Sequence, residues 1–309
     1  MTKRVKKYLN KYHDVKGKTY IVTGANSGLG FSVTKHLVSL GAKVIMACRN
    51  LNKATKAREK LLDLFPSANL ILVEYDQADF ASIEHFATLV KNEYQDFAGL
   101  ILNAGVFHPQ KGLTTKQGYP LTVGTNYLGV YYLLVQLHNK ALFDQKFGRR
   151  IVFVGSLSWY RVKVEKARAH LTIDQGTEMA KYCRSKTALG ALSYYLSRHQ
   201  EATYLYIPNN IKVLTMHPGV TSTNIVASYP RWLQKLAHKV LRVFTHHPDV
   251  AALGIIDLAL KKEVDEDKIA VPRGLFHISG YPSYKKYPHN LMTNYHRLID
   301  LTNEVINKN

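Results

Sequence analysis

The chain has 309 residues, 46% of them hydrophobic, and a formal net charge of +20 from 42 basic and 22 acidic side chains. The apolar share is ordinary for a globular protein, and no linker, internal repeat or low-complexity block divides the chain. No apolar run approaches the roughly 18 residues of a spanning helix, and the lysine-rich start has no apolar segment of the kind a secretory signal carries.

Residues 1–17 read as a basic arm, with Lys3, Arg4, Lys6, Lys7, Lys11, Lys16 and the adjoining Lys18 set against Asp14. A solvated arm on a generally basic surface is the expectation. Attraction to an anionic membrane is the alternative, and no nucleic-acid-binding motif accompanies the charge. From residue 18 onward, strands and helices alternate. Strands are expected at residues 19–22, 43–47, 69–74, 99–102, 150–154 and 212–216, with a seventh near 274–278. Helices are expected at 28–40, 52–65, 80–95, 118–145, 175–200 and 248–261. This rhythm predicts an α/β fold: one doubly wound, Rossmann-type domain over residues 18–309, its seven-stranded, mainly parallel sheet covered by helices on both faces. Between residues 224 and 247, Trp232, Leu233, Leu236, Ala237, Val240, Leu241 and Phe244 fall on one helical arc. Arg231, Lys235, His238, Lys239 and Arg242 fall on the opposite arc. That pattern predicts an amphipathic lid helix, with a basic interfacial helix on anionic membrane as the second reading. Two cysteines, Cys48 and Cys183, make no disulfide framework, so a reduced cytoplasmic setting is expected, with or without contact with a membrane surface.

The most informative segment is Thr23-Gly24-Ala25-Asn26-Ser27-Gly28-Leu29-Gly30. It follows an apolar run and precedes an amphipathic one, so it reads as strand, glycine turn, helix. Glycines let the backbone turn tightly and approach a ligand where a Cβ would collide. The helix start presents free N–H groups and a positive dipole end to a pyrophosphate. The second strand ends at Cys48-Arg49-Asn50, where NAD-preferring folds usually place an acid for the ribose hydroxyls. Arg49 instead offers a planar cation suited to a 2′-phosphate. NADP(H) is therefore the expected cofactor and NAD(H) the less favoured one.

Further motifs follow in order: Asn103-Ala104-Gly105 after an apolar strand, Asn126 in Gly124-Thr125-Asn126-Tyr127-Leu128-Gly129, Ser156 at the end of a strand, Tyr182-Cys183-Arg184-Ser185-Lys186, and His217-Pro218-Gly219-Val220. Together with the glycine turn, this set resembles the short-chain dehydrogenase/reductase family from about residue 18 to residue 280. It is most like the retinol-dehydrogenase-like branch, through residues 23–30, Ala47-Cys48-Arg49-Asn50 and residues 217–220. The resemblance implies cofactor contacts from Gly24, Asn26, Ser27, Gly28, Leu29, Gly30, Arg49, Asn50, Asp76, Asn103, Ala104, Gly105, Tyr182, Lys186, Pro218, Gly219 and Thr223. Asp76 would meet the adenine amino group, Asn103 and Gly105 the adenosine ribose, and Thr223 the nicotinamide carboxamide. It also implies a lid over the substrate near residues 224–247.

Hydride transfer to a carbonyl needs a proton donor beside the developing alkoxide. Tyrosine serves when its pKa falls toward neutrality, which a nearby cation favours. Lys186 stands four residues after Tyr182, on the same face of a helix. The catalytic set implied is Asn126, Ser156, Tyr182 and Lys186, with Ser156 holding the substrate oxygen and Asn126 anchoring a water beside Lys186. The long segment between Ser156 and Tyr182, with Arg161, Lys163, Glu165, Lys166 and Arg168, reads as a surface excursion near the site mouth. His217 lacks a second ligand at metal spacing, so a structural role and no metal are expected.

The expected function is interconversion of an alcohol with an aldehyde or ketone, a bulky apolar carbonyl of retinoid or steroid type. Two alternatives are reduction of a conjugated double bond, as in the protochlorophyllide reductases, and a non-catalytic NADP-binding scaffold. A complete Asn126, Ser156, Tyr182 and Lys186 set argues against the scaffold. The expected partner is a small carbonyl or alcohol and not nucleic acid. Peripheral membrane contact and a homo-oligomer stay open.

Overall fold

Eight segments have the uninterrupted apolar character of strands buried on both faces, or pair at their edge. In the computed structural model they are β1 (Thr19–Thr23), β2 (Lys43–Cys48), β3 (Asn69–Glu74), β4 (Gly99–Leu102), β5 (Arg149–Val154), β6 (Ile211–Met216), β7 (Lys268–Pro272) and β8 (Pro282–Lys286). The structure describes residues 1–107, 109–144, 149–198, 205–220 and 247–308. The strands form one sheet in the order β3-β2-β1-β4-β5-β6-β7-β8. All neighbours run parallel except β8, which pairs antiparallel with β7. The order reverses between β1 and β4. There a crevice opens beyond the carboxyl ends of the strands, where such sheets bind ligands.

Side chains alternate across the sheet with the period of two that a strand imposes. Ile21, Ile45, Leu100, Ile151 and Val213 enter one core. Tyr20, Val22, Met46, Ile101, Val152 and Leu214 enter the other. The first core is closed by α4 (Phe80–Glu93), α6 (Gly129–Asn139), α8 (Glu178–Leu196) and α10 (Tyr295–Ile306). The second is closed by α1 (Lys3–Leu9), α2 (Gly28–Ser39), α3 (Leu51–Leu64) and α9 (Pro248–Leu260). Helices on both faces match the expected class.

Several expectations need correction. The sheet has eight strands, and β7 lies upstream of the expected position. Residues 274–278 instead carry a 3₁₀ turn, Leu275–His277, with Phe276 and His277 at positive φ. β8 was not foreseen, because Pro-Ser-Tyr-Lys-Lys has an edge strand's composition with no apolar run. The helix expected over 118–145 is broken into α5 (Leu121–Val123), a π turn (Gly124–Leu128) and α6. At Gly129 an added Cβ would lie 2.0 Å from the Gln77 carbonyl oxygen, so this helix crosses another backbone at a distance only glycine permits.

The segment between Ser156 and Tyr182 is more than a surface excursion. It forms a 3₁₀ turn (Leu157–Arg161) and α7 (Val164–Ala169), and Trp159, Val164, Ala167 and Leu171 are buried. The basic residues 3, 4, 6 and 7 face solvent, but the arm is docked. Val5 and Leu9 enter the core. The Tyr8 and Tyr284 hydroxyls donate to Asp257 Oδ2 at 2.7 and 3.0 Å, and the Tyr12 hydroxyl donates to Oδ1. Lys11 Nζ lies 3.1 Å from the same carboxylate. Asp257 is buried on α9, so the helix that closes the sheet also anchors the N-terminal segment.

Candidate active site

β1 delivers the chain into the glycine turn. Gly24 and Gly28 have φ of +66° and +54°, a region side chains rarely adopt. α2 starts at Gly28. A Cβ at Gly30 would lie 2.3 Å from the Gly24 carbonyl oxygen and 2.5 Å from Asn103 Nδ2. The turn therefore folds onto the end of β4 with no side chain between. Asn103 Nδ2 donates to the Thr23 carbonyl at 2.9 Å, and Thr23 Oγ1 accepts the Asn103 and Ala104 N–H groups at 3.0 and 2.9 Å. Gln77 Nε2 donates to the Ala104 and Thr125 carbonyls at 3.2 and 2.6 Å. The ends of β1, β3 and β4 are thus tied together beside the turn.

A cleft of about 1040 Å³ runs along this edge. Gly24, Asn26, Ser27, Gly28 and Leu29 line one end, with Arg49, Asn50 and Asp76. Asn103, Ala104 and Gly105 line the middle, and Ser156, Tyr182, Lys186, Pro218 and Gly219 the other end. Gly30 and Asn126 sit behind the wall and shape it. Thr223 and the lid residues from 224 to 246, Trp232 and Phe244 among them, lie outside the described residues.

Asn50 Oδ1 accepts the Lys53 N–H at 2.9 Å and caps α3. Asp76 Oδ1 accepts the Ala78 N–H at 3.0 Å, and α4 is capped by Asp79 instead. Arg49 is exposed at the rim. Lys53, Lys56 and Lys60 on α3 also line the cleft, which sequence reading missed. Their signal was present: i, i+3 and i+7 place them on one helix face. Asp76 is the only acid among the described lining residues, against Arg49, Lys53, Lys56, Lys60, Arg161 and Lys186.

Asn126 is fully buried in the π turn. Lys186 Nζ donates to the Val154 carbonyl at 3.0 Å, and burial pulls its pKa down to about 8. Ser156 Oγ accepts the Ser158 N–H at 3.2 Å and caps the 3₁₀ turn. The Phe107 ring meets the Tyr182 ring edge-on, with centroids 4.8 Å apart. Tyr182 departs from expectation: burial raises its pKa, opposed by a hydrogen bond from Ser156. The expected lowering by Lys186 is not found. The lysine's bond goes to Val154, and the hydroxyl that favours the phenolate belongs to serine.

His217 is buried with its ring edge-on to Trp159 at 5.7 Å, and Nδ1 accepts the Gly219 N–H at 3.3 Å. It holds the turn that brings Pro218 and Gly219 to the cleft. Among the described residues, no group of three or more His, Cys, Asp or Glu stands ready for a metal. Cys48 and Cys183 are buried free thiols. No described helix is long and apolar enough to cross a membrane.

A doubly wound sheet with a glycine turn at its switch point and a Tyr-x-x-x-Lys helix beside it defines the class of fold, that of the short-chain dehydrogenases. The chain belongs to the short-chain dehydrogenase family, whose model matches residues 18–234. It stands on the retinol-dehydrogenase-like branch. Retinol dehydrogenase 14 of Mus musculus is 32% identical over 68% of this chain and 63% of its own length. The human WW domain-containing oxidoreductase is 31% identical over 82% of this chain and 60% of its own length. The chain thus spans about 60% of the length of that relative. An uncharacterized protein from Mycobacterium Paratuberculosis superposes with a TM-score of 0.73 at 22% identity, covering 96% of both chains. A short chain dehydrogenase from Burkholderia cenocepacia, solved in complex with NADP, gives 0.60 at 22% identity over 80% and 92%. Both structures are likenesses of fold.

Proposed function

We propose that this oxidoreductase uses NADP(H) to interconvert an alcohol with an aldehyde or ketone, and that Tyr182 is its proton donor. The observation that carries the reading is convergence. Ser156, Tyr182 and Lys186 come from β5 and α8 to one end of the cleft whose other end is the glycine turn.

The residues fit the cofactor. The glycine cradle admits backbone where a Cβ at Gly30 would collide, and its helix start favours a pyrophosphate. Arg49 and Lys53 would meet a 2′-phosphate at the cationic rim, Asp76 the adenine, and Asn103 with Gly105 the ribose. Thr223 is proposed as the carboxamide contact. When bound, the nicotinamide supplies or accepts the hydride. Ser156 holds the substrate oxygen, and Tyr182 gives the proton as charge develops there. Lys186, near 8, can release a proton at neutral pH and replenish the tyrosine. Asn126 holds the loop behind them.

Phe107, Leu157 and Met179 give the catalytic end apolar walls. They support a bulky apolar carbonyl, as does the likeness to retinol dehydrogenase 14. Residues 18–309 are proposed to act as one domain, with residues 224–247 covering the substrate.

The test is NADPH oxidation against paired small and large carbonyls, followed optically. Faster turnover of retinoid- or steroid-sized carbonyls is expected. Equal efficiency on acetaldehyde-sized substrates removes the substrate class. A saturated carbon–carbon bond in the product, with the carbonyl intact, replaces the reaction.

A further inference from the structure

Ser156 Oγ accepts two hydrogen bonds from one residue. The Ser158 N–H donates at 3.2 Å and the Ser158 hydroxyl at 2.9 Å. A serine oxygen has two acceptor positions and one O–H. With both positions taken on the side of the turn, the O–H is left to point out of it. Tyr182 lies there and shares a hydrogen bond with Ser156. The buried thiol of Cys183 stands near Ser158, which opposes the rise that burial gives its pKa. The Ser158 hydroxyl donates to Ser156, and the Ser156 O–H is then available to Tyr182. Bonds in such a chain polarise one another.

The turn is held in place. Trp159 is fully buried, and a Cβ at Gly155 would lie 1.9 Å from its ring. Ser158 stands between these two anchors in the turn, half-buried at the cleft wall.

We propose that Ser158 is a positioning residue: it commits the Ser156 hydroxyl to donation, so that its one O–H is offered to Tyr182 and, once substrate is bound, to the substrate oxygen instead. The proposal rests on the oxidoreductase reading above. Ser158 acts through Ser156 and moves no proton itself.

Ser158→Ala is expected to lower kcat about 3- to 10-fold, the effect of one neutral hydrogen bond, and to leave the KM for NADPH unchanged. Carbonyl reduction needs Tyr182 protonated, so the rate falls as pH rises through its pKa. A less committed Ser156 stabilises the phenolate less, and the basic limb of the profile moves to higher pH. Phe107, Cys183, Lys186 and, beyond them, Arg161 surround Tyr182 and are unaltered by the change. Ser158→Thr keeps the hydroxyl and restores both kcat and the basic limb. In a Ser156→Ala background, Ser158→Ala adds no further loss.

Additive losses in the double variant overturn the proposal. So does an effect confined to the substrate KM with an unmoved basic limb, which would mean that Ser158 touches substrate directly. A wild type that reduces no carbonyl overturns the oxidoreductase reading alone. The relay is then decided by the ring ¹³Cζ signal of Tyr182, assigned by its loss in Tyr182→Phe. It shifts in Ser158→Ala if the relay exists, and an unmoved signal overturns it.

Discussion

Asn126 and Val106 exchange two hydrogen bonds. The Val106 N–H donates to Asn126 Oδ1 at 2.7 Å, and Asn126 Nδ2 donates to the Val106 carbonyl at 2.9 Å. A third bond, from Nδ2 to Ser185 Oγ at 3.1 Å, joins this loop to α8. The side chain gives the loop after β4 a pairing that no neighbouring strand supplies, and the next residue, Phe107, packs on Tyr182.

Asn126→Ala should therefore destabilise and slow the enzyme together. Three bonds at about 0.5–1.5 kcal/mol each predict a loss of about 1.5–4.5 kcal/mol, read as a lower urea midpoint. A midpoint like that of wild type, with activity still lost, would confine Asn126 to the chemistry.

Tyr182→Phe keeps the ring contact with Phe107 and loses the donor. NADPH should bind as before while turnover falls about 10²–10⁴-fold. Full activity in this variant removes Tyr182 from the mechanism.

Arg49→Ala should weaken NADPH binding about 10- to 100-fold, the worth of a charge-assisted hydrogen bond, and leave NADH binding nearly unaltered. Only the former ligand carries the 2′-phosphate. Calorimetric titration with each cofactor reads the difference, and equal losses would make Arg49 a structural residue. Lys53→Ala should show the same preference more weakly, because it stands one helical turn farther along the rim.

Lys186 predicts a pH dependence of stability. Its folded pKa is about 8, below the unfolded value near 10.4. Between the two, the unfolded chain holds a proton that the folded chain has released, so stability rises with pH across this window. Below pH 8 the buried charge costs most. At about 1.4 kcal/mol per pKa unit the full swing is about 3 kcal/mol. Relative to Lys186→Met, wild type should gain stability from pH 7 to pH 10 by urea denaturation. A constant difference between the two would mean that the ammonium stays solvated. Tyrosines whose pKa is raised act in the opposite direction above pH 10, and they cancel in this comparison.

Asp257→Asn should loosen the N-terminal helix without touching the cleft. The carboxylate gathers the Tyr8, Tyr12 and Tyr284 hydroxyls and the Lys11 ammonium, and bonds to a charged group contribute about 1.5–3 kcal/mol each. Faster amide exchange in residues 3–9 is expected, with unchanged KM for NADPH. Unchanged exchange would leave Val5 and Leu9 as the whole anchor.

Much of the site could be read from the chain because its residues follow strands. A parallel sheet delivers every strand's carboxyl end to one edge, so Gly24, Arg49, Asp76, Asn103, Ser156 and Pro218 were bound to gather once the strands were placed. The glycine turn was equally readable, since positive φ and close backbone approach leave a residue-type signature. Lys53, Lys56 and Lys60 share one face by helical spacing, but only the packing of α3 beside the strand ends brings that face to the cleft.

Other features had no such signature. β8 carries polar residues and is a strand only because β7 offers it an edge. Where the π turn meets α6, Gly129 crosses the Gln77 carbonyl, a contact between segments far apart in sequence. Trp159 reads as part of a charged insert until Gly155 and His217 are seen around it. Local sequence, through turn chemistry and the periods of strand and helix, determined the class of fold, the glycine turn and the spacing of Tyr182 and Lys186 along one helix. The tertiary structure alone decided which hydroxyl faces Tyr182, where the Lys186 ammonium bonds and how far burial moves each pKa. Those quantities depend on which atoms meet across the core, and meeting is a property of the packed molecule.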